Sequence, residues 1–256
     1  AGVFLKSTGE GSNTFTIIQP KCPIEYEDQG DRSHKILKEA DYVAKTTGTR
    51  TFPWRYMYIT QSDTQLPENV MPVRLAPANA IGDTDWIKVG QTTWDWLNGI
   101  PFGPDVTFKS GINLETYKYF IDFAARNGVG NILIDEGWAK NTRDPIVTNP
   151  EVHLPEIIAY GKSKGVGLYL WYNSNGMWND APQSPKGIMD NTARRRQDMK
   201  WMQENGILGI KVDFFGGDKQ NMMKLYEDIL TDANDYGLLV VFHGCTLPRG
   251  WERMYP

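Results

Sequence analysis

The chain has 256 residues, a net charge of −4 and 40% hydrophobic residues. That is the profile of a globular protein long enough to bury a substantial core, and no run of Lys or Arg forms the basic stripe a nucleic-acid partner needs. No stretch approaches the roughly eighteen apolar residues of a membrane span. The opening residues, Ala1-Gly2-Val3-Phe4-Leu5-Lys6, show none of the basic head, apolar block and small-residue cleavage site of a signal peptide. Cys22 and Cys245 match no metal spacing, and three histidines are too few for a His-rich metal site, so no metal ligand is read from these residues. Nine Trp and twelve Tyr give slight support to sugar stacking, because most indole rings simply pack.

Residues 1–77 lack regular strand-helix alternation. Thr14-Phe15-Thr16-Ile17-Ile18 and Trp54-Arg55-Tyr56-Met57-Tyr58-Ile59 read as strands between Gly, Asn, Asp and Ser clusters, which predicts the tail of a β-rich module. A short helix is expected after Asp63, with Leu66, Val70 and Met71 on one side. A breaker-rich stretch beginning Ala76-Pro77-Ala78-Asn79 predicts a linker, placed at 78–90.

From residue 91 strands and helices alternate as in parallel β/α units. Strands are expected at 92–96, 129–134, 166–171, 209–215 and 238–242. Helices are expected from an Asn113 cap to Arg126, from Leu154 to Lys164 with Pro155 in the first turn, from about Asn191 to Asn205, and from about Asp218 to Tyr236. Arg194-Arg195-Arg196 reads as a solvated helix face. The spacing of roughly thirty to forty residues fits five units of an eight-unit α/β barrel, which predicts that the sequence stops before closure.

In the fourth of these strands, Gly209-Ile210-Lys211-Val212-Asp213-Phe214-Phe215, Lys211 and Asp213 share one face while Ile210 and Val212 take the other. Converging strand ends would gather Trp94, Asp135, Glu136, Trp138, Trp171, Tyr172, Asn173, Lys211, Asp213 and His243. Singly each has a plain explanation: core packing for Trp94, helix-start or solvated carboxylates for Asp135 and Glu136, a hydrogen-bonded core imidazole for His243, a structural ion pair for Lys211 with Asp213. Together they suit a glycosidase, in which carboxylates, Lys and amides bind hydroxyls, indoles cover apolar sugar faces and one ionised carboxylate attacks. Lys211 as a Schiff-base lysine of an aldolase-type lyase and non-catalytic glycan binding remain alternatives.

Five motifs carry a resemblance: Arg50-Thr51-Phe52-Pro53-Trp54-Arg55; Lys109-Ser110-Gly111-Ile112-Asn113 followed by Thr116-Tyr117-Lys118-Tyr119; Leu133-Ile134-Asp135-Glu136-Gly137-Trp138; Lys211-Val212-Asp213-Phe214; and Phe242-His243-Gly244 with Arg253-Met254-Tyr255-Pro256. Their combination resembles glycoside hydrolase family 97. The resemblance implies a catalytic (β/α)8 TIM-type barrel preceded by the C-terminal part of a β super-sandwich. It also implies calcium near the active site, a periplasmic location, and exo-acting α-glycosidase activity of the kind found in Bacteroidetes, with an oligosaccharide or α-galactoside as substrate.

Inverting members carry base glutamates after the third and fifth strands. Here those strands run into Tyr172-Asn173-Ser174-Asn175 and His243-Gly244, whereas the fourth offers Asp213. That is the retaining pattern, and the resemblance implies Asp213 as nucleophile with Asp135, Glu136 and Lys211 on sugar hydroxyls. The family's acid/base glutamate follows the Tyr-Pro motif and is expected beyond Pro256. The expected activity is a retaining α-galactosidase; an α-glucosidase of the same family and a β-L-arabinopyranoside substrate are the nearest alternatives.

Overall fold

In the computed structural model the described residues are 4–7, 15–18, 21–28, 34–42, 45, 47–49, 56–140, 147–175, 179–216, 220–246 and 250–256. The chain divides into two compact units, 1–76 and 77–256. In the first, β1 (Phe4–Ser7) pairs antiparallel with β2 (Phe15–Ile18), and β3 (Pro23–Asp28) pairs antiparallel with β4 (His34–Glu39). A 3-10 turn over Asp63–Glu68 precedes α1 (Met71–Leu75), so the helix expected after Asp63 is split in two, with Pro67 inside its first part. No strand covers Tyr56 to Ile59, whose side chains are exposed, and the rest of that expected strand and the Arg50 to Arg55 motif lie outside the described residues.

The second unit is built on one parallel sheet whose strands lie in chain order. β5 (Thr92–Trp94) is followed by α2 (Asp95–Asn98) and α3 (Leu114–Asn127), then β6 (Asn131–Ile134), α4 (Leu154–Lys164), β7 (Gly167–Asn173), α5 (Thr192–Asn205), β8 (Gly209–Asp213), α6 (Gln220–Asp235), β9 (Leu239–Phe242) and α7 (Trp251–Met254). This is the layout of the first five units of a (β/α)8 barrel.

Local chemistry sets the helix ends. The Asn113 side chain accepts the Thr116 N–H at 3.0 Å to start α3, and Asn191 accepts the Arg194 N–H at 3.2 Å to start α5. Gly128, Gly165 and Gly206 close three helices in the left-handed conformation that favours glycine. β5 is shorter than expected because Asp95 already begins α2, and β7 runs two residues further, to Asn173.

Parallel pairing sets Trp171 beside Lys211 and Asn173 beside Asp213. The intervening Leu170, Tyr172, Ile210 and Val212 join one core with Ile121, Ile157, Met199, Tyr226 and Ile229 from the helices. β8 is buried on both faces, the helix-side face by apolar packing and the other by paired charges.

The Arg194-Arg195-Arg196 run is not a solvated face throughout. The Arg195 side chain is 2% exposed and reaches Asp232 on α6 at 2.6 Å, with a further bond of 2.6 Å from Nη1 to the Met189 carbonyl. Sequence periodicity could not show this, because the partner that makes burial of the guanidinium tolerable lies 37 residues away.

Candidate active site

At the carboxyl ends of β5 to β9 the Lys211 ammonium lies between two carboxylates, 2.6 Å from Asp135 Oδ2 and 3.0 Å from Asp213 Oδ2. It also sits 4.2 Å from the centre of the Trp94 ring. All three charged side chains are nearly inaccessible, at 2%, 8% and 6%. Such a buried arrangement is stable only while every charge has a partner. The Trp94 indole N–H donates to the same Asp135 oxygen as Lys211, and the Glu136 N–H donates to Asp135 Oδ1 at 2.9 Å.

Asp213 is seated by donors on several sides. Oδ2 accepts the Trp171 indole N–H at 3.1 Å and Oδ1 accepts the Phe214 N–H at 2.8 Å. His243 Nδ1 lies 3.0 Å from both oxygens, which fixes Nδ1 as the protonated ring nitrogen because both neighbours are acceptors. Burial alone would push the Asp213 carboxyl up, but Trp171, Lys211 and His243 outweigh it and hold it below the usual carboxylate range. The Asp213 carboxylate is therefore ionised at neutral pH. His243 is exposed, with a side chain 48% accessible.

The backbone around Asp213 is tightly fitted. Phe214 adopts φ +68°, and Gly244 adopts φ +52° so close to the carboxylate that a Cβ there would lie 2.9 Å from Asp213 Oδ1. Only glycine combines that backbone angle with that approach.

Of the ten residues named from the sequence, Trp94, Asp135, Trp171, Lys211, Asp213 and His243 form this connected cluster. Glu136 lies on its exposed rim, with its carboxyl pushed up by partial burial and by the charge on Asp135. Trp138, Tyr172 and Asn173 do not join it; Tyr172 turns into the core, where its hydroxyl donates to Asp198 Oδ2 at 3.2 Å. Trp138 is fully buried, donating to the Trp171 carbonyl at 2.9 Å and packing edge-on against Tyr172. The Asn173 amide bonds the Ala181 and Gln183 carbonyls, each at 3.2 Å, and so anchors the loop after β7.

Asp95 is a member that sequence reasoning missed. It accepts the Asp135 N–H at 3.0 Å, the Trp96 N–H at 2.9 Å and the Tyr117 hydroxyl at 3.1 Å. Burial, with a smaller contribution from the Asp135 charge, leaves its pKa pushed up to about 6. A cavity of about 240 Å³ lined by Asp95, Trp96, Ile100, Ile112, Asp135 and Glu136 adjoins it. A cavity of about 280 Å³ at the opposite strand ends, by Gly90, Tyr169 and Leu238, has no carboxylate in its lining and is remote from this chemistry.

The family model for glycoside hydrolase 97 matches residues 94–256. The chain belongs to glycoside hydrolase family 97. It is 33% identical over 258 residues to a retaining alpha-galactosidase of Bacteroides thetaiotaomicron, covering 100% of this chain and 37% of that protein. A crystal structure of a beta-arabinopyranosidase is 44% identical with a TM-score of 0.60, covering 73% of this chain and 27% of that one. A family 97 enzyme from Pseudoalteromonas sp. strain K8, solved in complex with acarbose, is 19% identical and shares the fold at a TM-score of 0.56 over 73% of this chain and 31% of that one. The chain thus spans about a third of the length of these relatives, and its five parallel strands are part of the family 97 barrel.

Among the described residues no cluster of three or more His, Cys, Asp or Glu could hold a metal ion. At the barrel mouth the Asp135 and Asp213 oxygens are already occupied by ammonium, indole and amide donors. Among the described residues these side chains do not make a calcium site.

Proposed function

We propose that the full-length protein is a retaining exo-glycosidase that releases terminal α-galactose, with Asp213 as nucleophile. The observation that carries this reading is the Asp213 carboxylate, held ionised by Lys211, Trp171 and His243 at the end of β8. A nucleophilic carboxylate must stay charged at working pH and must be aimed rather than mobile, and four fixed donors favour both. The 33% identity to a retaining alpha-galactosidase supports the substrate class.

In the proposed reaction a carboxylate oxygen of Asp213 bonds to the anomeric carbon as the glycosidic C–O bond breaks. An acid protonates the departing oxygen; family resemblance implies a glutamate beyond Pro256. Water then attacks the same carbon from the opposite face, gives a proton back to that residue and frees Asp213, so the configuration is retained. Lys211 and Asp135, fixed against each other, would bind ring hydroxyls, and the bond that a hydroxyl donates to the Asp135 carboxylate strengthens as positive charge develops on the sugar. Calcium and a periplasmic location belong to the same proposal for the whole protein and rest on family resemblance.

A second substrate is favoured by one finding, the 44% identity to a beta-arabinopyranosidase. β-L-Arabinopyranose has the ring stereochemistry of galactose without the hydroxymethyl group, so the same nucleophile would serve both. The test is hydrolysis of nitrophenyl α-D-galactoside, β-L-arabinopyranoside and α-D-glucoside by the full-length protein, with NMR of the first-formed anomer. Retention is expected. Asp213→Asn should abolish turnover and azide should restore cleavage, giving a glycosyl azide of inverted configuration. An inverted first product, or full activity in Asp213→Asn, overturns the reading.

A further inference from the structure

We infer that Asp95 is a positioning residue, a carboxylate that braces Asp135 and through it holds the Lys211–Asp213 pair in place. The kinetic half of this inference rests on the glycosidase reading above; the geometric half does not.

The β5/β6 ladder pairs Thr92, Thr93 and Trp94 with Asn131, Ile132 and Leu133, and no backbone pairing is present beyond it. Past that point the Asp135 N–H has no β5 backbone carbonyl to meet, and the Asp95 carboxylate takes it instead at 3.0 Å. The same side chain takes the N–H of Trp96, in α2, and the hydroxyl of Tyr117, a residue of α3 only 1% exposed. One acid thus ties the start of α2, the end of β6 and the buried face of α3. Asp135 in turn spends both oxygens on the site, Oδ2 on Lys211 and Trp94 and Oδ1 on the Glu136 N–H.

The two N–H groups converge on Oδ1 and Tyr117 donates to Oδ2. A carboxylate accepts all three, whereas an amide could keep the N–H bonds only by turning its NH₂ to the Tyr117 hydroxyl, which would then have to accept. The ionisable groups around Asp95 are Asp135, Glu136 across the shared cavity, Tyr117, and Lys211 behind Asp135. Burial and the like charge of Asp135 work against an ionised Asp95, which titrates near 6. As pH falls through that value Oδ2 becomes a donor, the Tyr117 hydroxyl must reverse its bond, and Oδ1, no longer charged, holds the two N–H groups at the end of β6 and the start of α2 more weakly. A residue serving packing alone would leave no such trace in the rate.

The test uses the full-length protein and the Asp95→Asn and Tyr117→Phe variants. Each is assayed for the pH dependence of kcat/KM on an aryl α-galactoside, and Asp95→Asn is also crystallised. The parent should lose kcat/KM below about pH 6. Asp95→Asn should lower the plateau roughly 10- to 100-fold, the scale of loss for a misplaced reacting group. It should also remove that acid limb, and in the crystal the Lys211 to Asp135 distance should exceed 3.5 Å. Tyr117→Phe removes a donor that favours the charged acid, so the limb should move to higher pH. A limb unchanged in both variants, or a Lys211–Asp135 contact still at 2.6 Å in Asp95→Asn, overturns the inference. If the parent hydrolyses no galactoside or arabinopyranoside, the functional reading fails separately and the crystallographic distance alone decides the role of Asp95.

Discussion

Replacing Gly244 with Ala puts a methyl group against the centre of the proposed mechanism without altering a charge. Gly244 has φ +52°, where a Cβ costs roughly 1–2 kcal/mol in the backbone alone. One kcal/mol moves Tm by about 2–4 °C in a domain of 150–250 residues and by less in a larger one, so a fall of a few degrees at most is expected in the full-length protein. The added atom would lie 2.9 Å from Asp213 Oδ1 and 3.2 Å from the Phe214 nitrogen, so the carboxylate must retreat by about 0.5 Å to reach an ordinary contact of 3.4 Å. Movement on that scale strains its 2.8 Å bond to the Phe214 N–H. A displacement of about an ångström at a reacting group costs on the order of 100-fold in rate, so a loss in kcat of roughly tenfold or more is expected here. The measurement is kcat and KM on an aryl α-galactoside, with Tm recorded on the same preparation of the full-length protein. A Tm drop within the expected range but less than a threefold change in kcat would refute the reasoning, because it would mean that the seat of the Asp213 carboxylate does not govern the reaction.

Lys211→Met leaves Asp135 and Asp213 facing each other without their shared cation, and breaking a buried pair in this way costs about 3–5 kcal/mol, read as a lowered Tm. In the parent the Asp213 pKa is depressed, so its stabilisation is present above the unfolded value and is lost as pH falls through the folded one. Without Lys211 that loss should move to higher pH in acid denaturation of the variant. Asp95 has the opposite sign, since a carboxyl raised to about 6 opposes folding once ionised. The stability of the parent relative to Asp95→Asn should therefore decline from about pH 4 to about pH 6 and level off above it, as measured by urea unfolding of both across that range. Trp138→Phe removes the indole bond to the Trp171 carbonyl and should cost about 1–3 kcal/mol in stability, with KM unchanged because Trp138 lies in the core rather than at the mouth. Asp232→Asn strips the buried Arg195 of its counter-ion and should lower Tm with no effect on KM.

The helix spans were legible from local signals: Asn113 caps α3 as its side chain predicts and Asn191 stands at the expected start of α5, while Gly128, Gly165 and Gly206 stop the three helices in the left-handed conformation. The Lys211–Asp213 face was legible because β periodicity fixes the relative side of residues two apart. Which strand-end residues serve the site was less so. Asn173 pairs with Asp213 in the ladder, yet its amide is claimed by carbonyls eight and ten residues further on, and no periodicity encodes a loop's return path. Trp138 follows a strand end but turns into the core, a choice made by its fit against Tyr172. Asp95 was hidden because its partners, Asp135 and Tyr117, are 40 and 22 residues away, and because the strand expected at 92–96 runs through a residue that instead begins α2.

Odd and even positions of β8 do different jobs, and this limits how the segment can change. Inserting one residue between Gly209 and Ile210 would turn Lys211 and Asp213 toward the helices and bring Ile210 and Val212 to the mouth, and a change between Lys211 and Asp213 would put the two on opposite faces. A frame error there cannot yield a stable but inactive barrel, or an active but fragile one. Variation in chain length must therefore accumulate in the connections, leaving those five letters to change only by substitution.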